Sequence, residues 1–307
     1  MSRAGQQTFL YDRPPAIVAH TSVAGPKEGD GPLSEWFDTV LEDDLLSQKS
    51  WELAEMEMVR RCVLDALNRA RLPSDAIQAM LGGDLNNQII ASSFAARTLG
   101  MPFIGLYGAC STFVQALVIG AALISGGYLE NAVCTASSHF CTAERQFRFP
   151  LELGTQRPPQ ASRTATACGC ALLAAQGDAP LRVTAGTVGR IIDLNITDAN
   201  HMGAAMAPAV FDCLSAHLSD TGRTAEDFDL IATGDLGWIG RDLLLELCSA
   251  AGVAMPPDKL IDCGASLFYQ EQDTHAGGSG AMFSPTSSQQ AQSVPGIAYA
   301  ACVERKD

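Results

Sequence analysis

The sequence predicts an α/β fold that is built from two related halves. Strand-like and helix-like segments alternate along most of the 307 residues, which is typical of sheets whose strands are connected by helices. A helix pattern and a short acidic turn precede an apolar strand pattern twice, and both strand patterns end in Gly-Asp-Leu, at 79–85 and at 230–236. Because the two copies lie almost half of the chain apart, they indicate an internal duplication.

The first half is predicted to cover residues 1–178. Its strands are expected at 14–24, 76–83, 103–107, 131–138 and 170–176. Its helices are expected at 51–71, in the segment that ends near Gly100, and at 111–126. The helix at 51–71 has the clearest pattern, since its apolar side chains recur on one broad face.

The second half is predicted to cover residues 179–307. The expected strands are 182–191 and 229–235, and the expected helices are 202–221 and 240–252. We predict βαβαβ halves stacked in five layers, in the order α-β-α-β-α, with the helices at 111–126 and 202–221 buried between sheets. The segment 139–166 is long, carries several arginines and three prolines, and is predicted to be a lid or insertion.

The charge of the chain limits its partners. Thirty-four acidic residues against twenty basic ones give a net charge of −14, and such a surface repels a phosphate backbone. We therefore expect no nucleic-acid partner, and any anionic ligand must be bound by local donors. A hydrophobic content of 47% with 18% charged residues supplies enough apolar material for a large core.

The ten cysteines are expected to be reduced. None lies in a CxxC pair, and most lie in apolar runs where cysteine acts as a small hydrophobe, so we expect a protein made in the cytosol and no metal site. Residues 98–129 carry no charged side chain and are long enough to cross a membrane. Gly100 and Pro102 interrupt them, however, so they predict a strand followed by a buried helix, without a transmembrane segment or a signal peptide.

Cys110 is the first candidate for chemistry. It lies in Gly108-Ala109-Cys110-Ser111-Thr112, where a predicted strand passes into a helix. A cysteine at a helix N-terminus is close to unpaired amide donors and to the positive end of the helix dipole, which favour a thiolate. The alternative is one more buried cysteine in a turn of small residues.

His275 and His139 are the other candidates. His275 precedes Ala276-Gly277-Gly278-Ser279-Gly280, a loop whose exposed amides can hold an anion, and its imidazole can act as a base. His139 ends a predicted strand and can reach the same edge of the sheet. The alternative for the loop is a flexible turn with an exposed histidine.

These residues carry a resemblance to the thiolase superfamily, in which a nucleophilic cysteine begins the buried central helix of the first half. Within it, the chain most resembles the stage V sporulation protein AD family. The stretches that carry this resemblance run through most of the chain: GPKEGDGPL (25–33), GDLNNQ (83–88), YGACST (107–112), SSHFCTAERQFRFP (137–150), MGAAMAPA (202–209), TGDLG (233–237), DCG (262–264) and AGGSG (276–280).

The resemblance implies a thiolase-like fold and a role in sporulation. It implies that the protein binds dipicolinic acid and needs no cofactor. It also implies that the protein is peripheral to the forespore membrane, where it belongs to the dipicolinate uptake system together with other stage V sporulation A-type membrane subunits. It also implies a homodimer formed through the strand at 103–107. The ligand is expected at Cys110, Asp84, Asn87, His139, Arg148 and His275, with Arg148 as the cation that an anionic ligand needs on an acidic protein.

The chain departs from the condensing enzymes of the superfamily. Gly234-Asp235 stands where ketoacyl synthases of type III have a catalytic histidine, and the second cysteine of thiolases has no counterpart. These departures predict a protein without catalytic residues. The alternative is an acyl-CoA condensing enzyme or acyltransferase that uses Cys110. The chain also departs from its own family after Met282, where a further helix and strand are expected, so the second half is predicted to be shortened.

Overall fold

The structure is a computed structural model that describes residues 2–147, 157–198, 200–280, 293–296 and 299–305. The described residues form eight helices, in chain order α1 (Pro26–Gly29), α2 (Trp51–Ala70), α3 (Ile90–Leu99), α4 (Thr112–Ser125), α5 (Phe140–Phe147), α6 (Met202–Thr221), α7 (Gly237–Ala250) and α8 (Cys263–Leu267). They also form strands, in chain order β1 (Ser2–Ala4), β2 (Thr8–Leu10), β3 (Ala16–Ala24), β4 (Thr39–Val40), β5 (Ala79–Gly83), β6 (Phe103–Gly105), β7 (Asn131–Ser138), β8 (Arg163–Thr164), β9 (Ala167–Ala174), β10 (Leu181–Val188), β11 (Ile231–Thr233), β12 (Leu260–Asp262), β13 (Gly278–Ser279), β14 (Ser293–Gly296) and β15 (Tyr299–Arg305).

The predicted strands and helices are confirmed, with small shifts at their ends. Each predicted strand overlaps one of β3, β5, β6, β7, β9, β10 and β11, and each predicted helix overlaps one of α2, α3, α4, α6 and α7. The predicted lid at 139–166 contains α5 and β8, and its residues 148–156, with the predicted ligand residue Arg148, lie outside the described residues.

The main sheet combines strands from both parts of the chain. Its path runs β1-β2-β10-β3-β9-β7-β5-β6, and β15 pairs with β10 off this path. β5 is parallel to β6 and to β7, whereas β9 is antiparallel to β3 and to β7. β4 pairs with β3 and β14 with β15, also off this path, and two short parallel pairs, β11-β12 and β8-β13, lie outside the main sheet. The β8-β13 pair is the important one for the site, because it joins the end of the lid segment to the glycine loop.

Helix α4 is the buried helix that the sequence predicts. It contacts β5, β7 and β9 as well as β10 and β15. Phe113, Leu117 and Ile124 are almost completely buried and share one apolar cluster with Val183 and Val303. This burial explains why the sequence of the helix carries no charge, since a charged side chain would be buried without water.

Helix α6 differs from the prediction that it lies between sheets. It contacts β2, β10 and β15 and the neighbouring helix α7, and its buried residues include Ala207, Val210, Leu214 and Leu218. This spacing forms one stripe, so α6 covers a single face of the sheet.

No helix in the described ranges is long and apolar enough to cross a membrane.

Candidate functional site

Cys110 lies in a tight turn at the start of α4. The turn Ala109–Ser111 is a 3-10 turn that follows β6 and leads directly into the helix. Ala109 has a φ of 48°, a left-handed conformation that costs free energy for a residue with a Cβ. The Ser111 hydroxyl donates to the Gly108 carbonyl at 2.8 Å, and the Gly108 N–H donates to the Thr112 hydroxyl at 3.1 Å. These bonds hold the Cys110 side chain in one place.

Asp235, from the second half, is the closest described partner of Cys110. It follows β11 and is completely buried. Its Oδ2 accepts a hydrogen bond from the Gly280 N–H at 2.8 Å, while its Oδ1 accepts no N–H or O–H hydrogen bond from the described residues. The Cys110 thiol lies beside this carboxyl. The site therefore joins the turn between β6 and α4 to the Gly-Asp-Leu turn after β11.

Cys110 is a thiol in this environment, and not the thiolate expected from its helix position. Burial raises its pKa well above the ordinary value for cysteine, and the charge and hydrogen bonding of Asp235 raise it further. The Gly280 amide lowers it, but by less. The positive end of a helix is too weak to overcome burial beside an acid.

Asp235 favours its protonated form for the same reason. Burial raises the pKa of this carboxyl well above its ordinary value, and neighbouring Asp262 also raises it, while the hydrogen bonds from Cys110 and Gly280 lower it. A protonated carboxyl can donate a hydrogen bond, which a carboxylate cannot. A protonated Asp235, held by the Gly280 amide, and the Cys110 thiol can therefore donate to a polar ligand atom.

Asp262 fixes the geometry around Asp235. Its carboxyl accepts the Thr233 hydroxyl at 2.6 Å and the N–H groups of Leu236, Gly237 and Ala265 at 3.0, 2.9 and 2.9 Å. It thus connects the turn after β11 to the first turn of α8. Burial raises the pKa of Asp262 to about 6 despite these hydrogen bonds. Asp262 is a positioning residue, which the sequence analysis did not identify.

A cationic cluster lies one strand away. In the β8-β13 pair, Arg163 is opposite Gly278, two residues before the Gly280 that binds Asp235. The Arg163 guanidinium carbon lies 3.7 Å from the centroid of the Phe140 ring, and that of Arg157 lies 5.4 Å from the same ring. We call Lys27, Phe140, Arg157 and Arg163 the arginine cluster.

Asp84 and Asn87 lie in the turn between β5 and α3. Asp84 is completely buried, and its carboxyl accepts the N–H groups of Asn86 and Ser92 at 2.9 and 2.7 Å. Asn87 is exposed, and its N–H donates to the side chain of Gln146 at 2.8 Å. The hydrogen bonds of Asp84 serve this turn, and no described contact joins either residue to Cys110.

His139 and His275 are also placed away from the contacts of Cys110. His139 is completely buried, its Nε2 bonds the Asp44 carbonyl at 2.8 Å and its Nδ1 accepts the Cys141 N–H at 3.2 Å. Burial lowers its pKa, so a neutral imidazole with both nitrogens occupied serves the fold. His275 is exposed and lies 3.8 Å from the Asp273 carboxylate.

Besides Asp262, sequence reasoning missed the site residues Asp235 and Arg163. The signal for Asp235 was present, because the repeated Gly-Asp-Leu places it at a strand end near the expected histidine position. Arg163 had no comparable signal, since the short strand β8 has no periodicity and its partner Gly278 is far away in sequence.

The comparison of the sequence with known proteins identifies close relatives. A family model described as "Stage V sporulation protein AD (SpoVAD)" matches residues 5–282. The stage V sporulation protein AD of Bacillus subtilis (strain 168) is 37% identical over 335 aligned residues, which cover 99% of this chain and 98% of that protein. The 335 aligned positions exceed the 307 residues of this chain, so the alignment includes gaps in this sequence.

The comparison of the structure with solved structures identifies the fold. A variant of Xanthomonas campestris OleA bound with cerulenin matches with a TM-score of 0.66 and 13% identity, over 99% of each chain. Human mitochondrial 3-ketoacyl-CoA thiolase in complex with coenzyme A matches with a TM-score of 0.66 and 11% identity, over 97% of this chain and 100% of that one. The 3-oxoacyl-[acyl-carrier-protein] synthase III of Aquifex aeolicus has a TM-score of 0.61 and 11% identity, over 95% and 100%. The predicted thiolase-like fold is therefore confirmed.

Proposed function

The chain belongs to the stage V sporulation protein AD family, and we propose that it binds dipicolinic acid during sporulation without catalysing a reaction on it. In this proposal the protein is a peripheral subunit of the system that moves dipicolinic acid into the developing spore. It reaches the membrane by docking on integral membrane subunits of that system.

The contact between Cys110 and Asp235 is the observation that carries the non-catalytic proposal. An acyl-transfer enzyme needs a thiolate, or a base that can remove the thiol proton. Burial and the neighbouring acid raise the pKa of Cys110, so the thiol keeps its proton. In this proposal Gly234-Asp235 stands where an imidazole would polarise a thioester carbonyl. The donors that remain at this site are suited to hold a ligand.

A small planar diacid fits the chemistry of the surroundings. A protonated Asp235 and the Cys110 thiol are donors on one side, next to the Gly280 N–H that is bonded to Asp235. The strand pair β8-β13 connects them to the arginine cluster. On a protein with a net charge of −14, local cations are needed to offset the repulsion of a dianion. Dipicolinate is a flat aromatic ring that carries two carboxylates, and it therefore combines the two features that these groups recognise.

The alternative function is acyl transfer with Cys110 as the nucleophile. The positive φ of Ala109 favours it, because backbone strain next to a reactive residue is common at catalytic sites. In this alternative a bound substrate must lower the pKa of the thiol. A thioester would then accumulate on Cys110 when the protein is mixed with an acyl-CoA.

Calorimetry and covalent labelling separate these functions. We expect saturable binding of dipicolinate to the whole chain, and no mass increase on the peptide that contains Cys110 after incubation with acetyl-CoA. An acetylated Cys110 peptide, together with no heat from dipicolinate, would replace the binding proposal with acyl transfer. No heat and no acylation would leave a purely structural subunit and would also contradict the proposal.

A further inference from the structure

We infer that the arginine cluster binds a carboxylate of the ligand and makes the site selective for a dicarboxylic acid over a monocarboxylic acid. This inference rests on the proposed function, since it assigns residues to one end of the same ligand. It concerns Lys27, Phe140, Arg157 and Arg163. Arg163 is the specificity-determining residue.

The stacking of Arg163 on Phe140 orients its guanidinium. At 3.7 Å from the ring centroid, the group is close enough for a cation–π interaction, which restricts the directions in which its N–H donors point. The Arg163 Nε is buried and has no hydrogen-bond partner among the described residues. An unused buried donor costs free energy unless a ligand or water satisfies it. A carboxylate satisfies Nε and a terminal nitrogen together, because both geometries are planar forks.

The three cations of the cluster repel one another. Burial lowers the pKa of Lys27, and the nearby charges of Arg163 and Arg157 lower it further. Burial also lowers the pKa of Arg163, which Arg157 lowers as well. Like charges that are brought this close are costly, and an anion between them removes this cost.

Four acids, Glu28, Asp44, Glu144 and Asp273, lie around the three cations of the cluster. Glu144 lies 2.8 Å from Arg157 and also raises the pKa of Arg163. Glu28 faces Arg163, but burial raises the pKa of Glu28 to about 7, so its charge is incomplete near neutral pH. Asp44 and Asp273 contribute negative charge from the periphery of the cluster. Arg163 therefore has no described acid as an exclusive ion-pair partner.

The position of Arg163 connects the cluster to the site at Cys110. Arg163 is paired with Gly278, and Ala165 donates its N–H to the Ser279 carbonyl at 2.7 Å. Gly280, whose amide binds Asp235, is two residues beyond Gly278, which is about 6.6–7 Å along an extended strand. A small molecule with two carboxylates can therefore contact donors at both places.

The test compares two ligands with two proteins by calorimetry. The ligands are dipicolinate and picolinate, which has the same ring with one carboxylate. The proteins are the wild type and Arg163→Gln, with Arg61→Gln as the control, since Arg61 is exposed and paired with Glu57 at 2.8 Å on α2. We expect Arg163→Gln to weaken dipicolinate about ten- to hundredfold, as the loss of a charge-assisted hydrogen bond does. It should change picolinate less than threefold, and Arg61→Gln should change neither.

Different results contradict different parts of the proposal. If the wild type binds neither ligand, the proposed function fails. If Arg163→Gln binds dipicolinate as the wild type does, the function stands and the role of the cluster is wrong. An equal loss for both ligands also contradicts selectivity. If circular dichroism shows that Arg163→Gln does not fold, Lys27→Gln replaces it. Because Lys27 is half-exposed, we expect this variant to lose three- to tenfold in affinity for dipicolinate and to keep its affinity for picolinate. An unchanged preference for dipicolinate would then reject the inference.

Discussion

Asp84 and Asp235 end the repeated strand patterns of the two halves, and both are completely buried, yet their carboxyls have different surroundings. Asp84 accepts two backbone N–H groups from its own turn and helix. Asp235 accepts one amide, from the distant Gly280, and its other oxygen is left beside the Cys110 thiol. The first aspartate stabilises a turn, whereas the second belongs to the site.

This difference predicts the reactivity of Cys110. We expect Asp235→Asn to lower the pKa of the thiol, because the acid that raises it is removed. The rate at which iodoacetamide modifies the Cys110 peptide, measured by mass spectrometry between pH 7 and 10, should rise about tenfold or more at pH 8, as a shift of one pKa unit requires. Asp84→Asn is the matched control and should leave this rate unchanged. Equal rates in the wild type and Asp235→Asn would show that Asp235 does not control the thiol.

The buried carboxyls predict that stability decreases as the pH rises. Burial raises the pKa of Glu28 and Glu55 to about 7 and that of Asp262 to about 6. Between about pH 4.5 and 7 the folded protein therefore holds more protons at these groups than the unfolded chain, so the free energy of unfolding falls as they ionise. His20, His139 and His217 have the opposite effect, because burial lowers their pKa values, that of His217 to about 4. Burial also raises the pKa of Asp84 and Asp235, so five carboxyls stand against three histidines, and we expect a lower melting temperature at pH 7.5 than at pH 5.

Glu55 tests the origin of this pH dependence. Its carboxyl accepts the Asn86 amide at 2.8 Å and the hydroxyls of Ser137 and Thr142 at 2.9 and 3.0 Å, and it lies beside Asp84. Glu55→Gln keeps the shape of the side chain and removes its titration. We expect the melting temperature of Glu55→Gln to change less between pH 5 and 7.5 than that of the wild type. Over this range its free energy of unfolding should fall by about 1 kcal/mol less than that of the wild type. Ser50→Ala is a useful control, since it removes the cap of α2 and should cost about 1 kcal/mol at both pH values.

The edge strand β6 predicts self-association. β6 is at the end of the main sheet, and Ile104 and Tyr107 are 38% and 56% exposed, next to the exposed Ile90 and Phe94 of α3. An apolar edge strand with free backbone groups is a surface on which another strand can pair. We propose a homodimer through this strand, so the wild type should sediment as a dimer at micromolar concentration. Ile104→Lys should raise the dissociation constant at least tenfold, and Tyr128→Lys, at an exposed position between α4 and β7, should not. A monomeric wild type contradicts this proposal.

The sequence predicted the elements better than the contacts between them. The uncharged stretch that contains α4 identified a buried helix, because local composition reports burial. Local composition could not predict the role of His139. Its imidazole lies 5.5 Å from the ring of Trp51, and Trp51 is on helix α2, which is distant in sequence. Arg163 is a similar case, because its importance comes from the β8-β13 pairing and from Phe140. Asp235 was predicted in part. The repeated Gly-Asp-Leu located its turn, but nothing in the sequence indicated its contact with Cys110.

The last prediction concerns the chemistry at Cys110. We expect no condensation of acetyl-CoA with malonyl-acyl carrier substrates, because the thiol is held protonated and the neighbouring protonated Asp235 cannot take its proton. Losing one oxyanion donor typically lowers a rate 10²–10³-fold, and losing the base lowers it further. We also expect Cys110→Trp to abolish dipicolinate binding by filling the space next to Asp235, while Cys110→Ser, which keeps a small donor, should bind within about threefold of the wild type. Thermal melting of both variants separates blocking from unfolding, since an overpacked side chain costs about 1–3 kcal/mol. Turnover at a normal enzymatic rate, on the order of 1 s⁻¹ or more, would restore the acyltransferase, and undiminished binding by a folded Cys110→Trp would move the ligand away from Cys110.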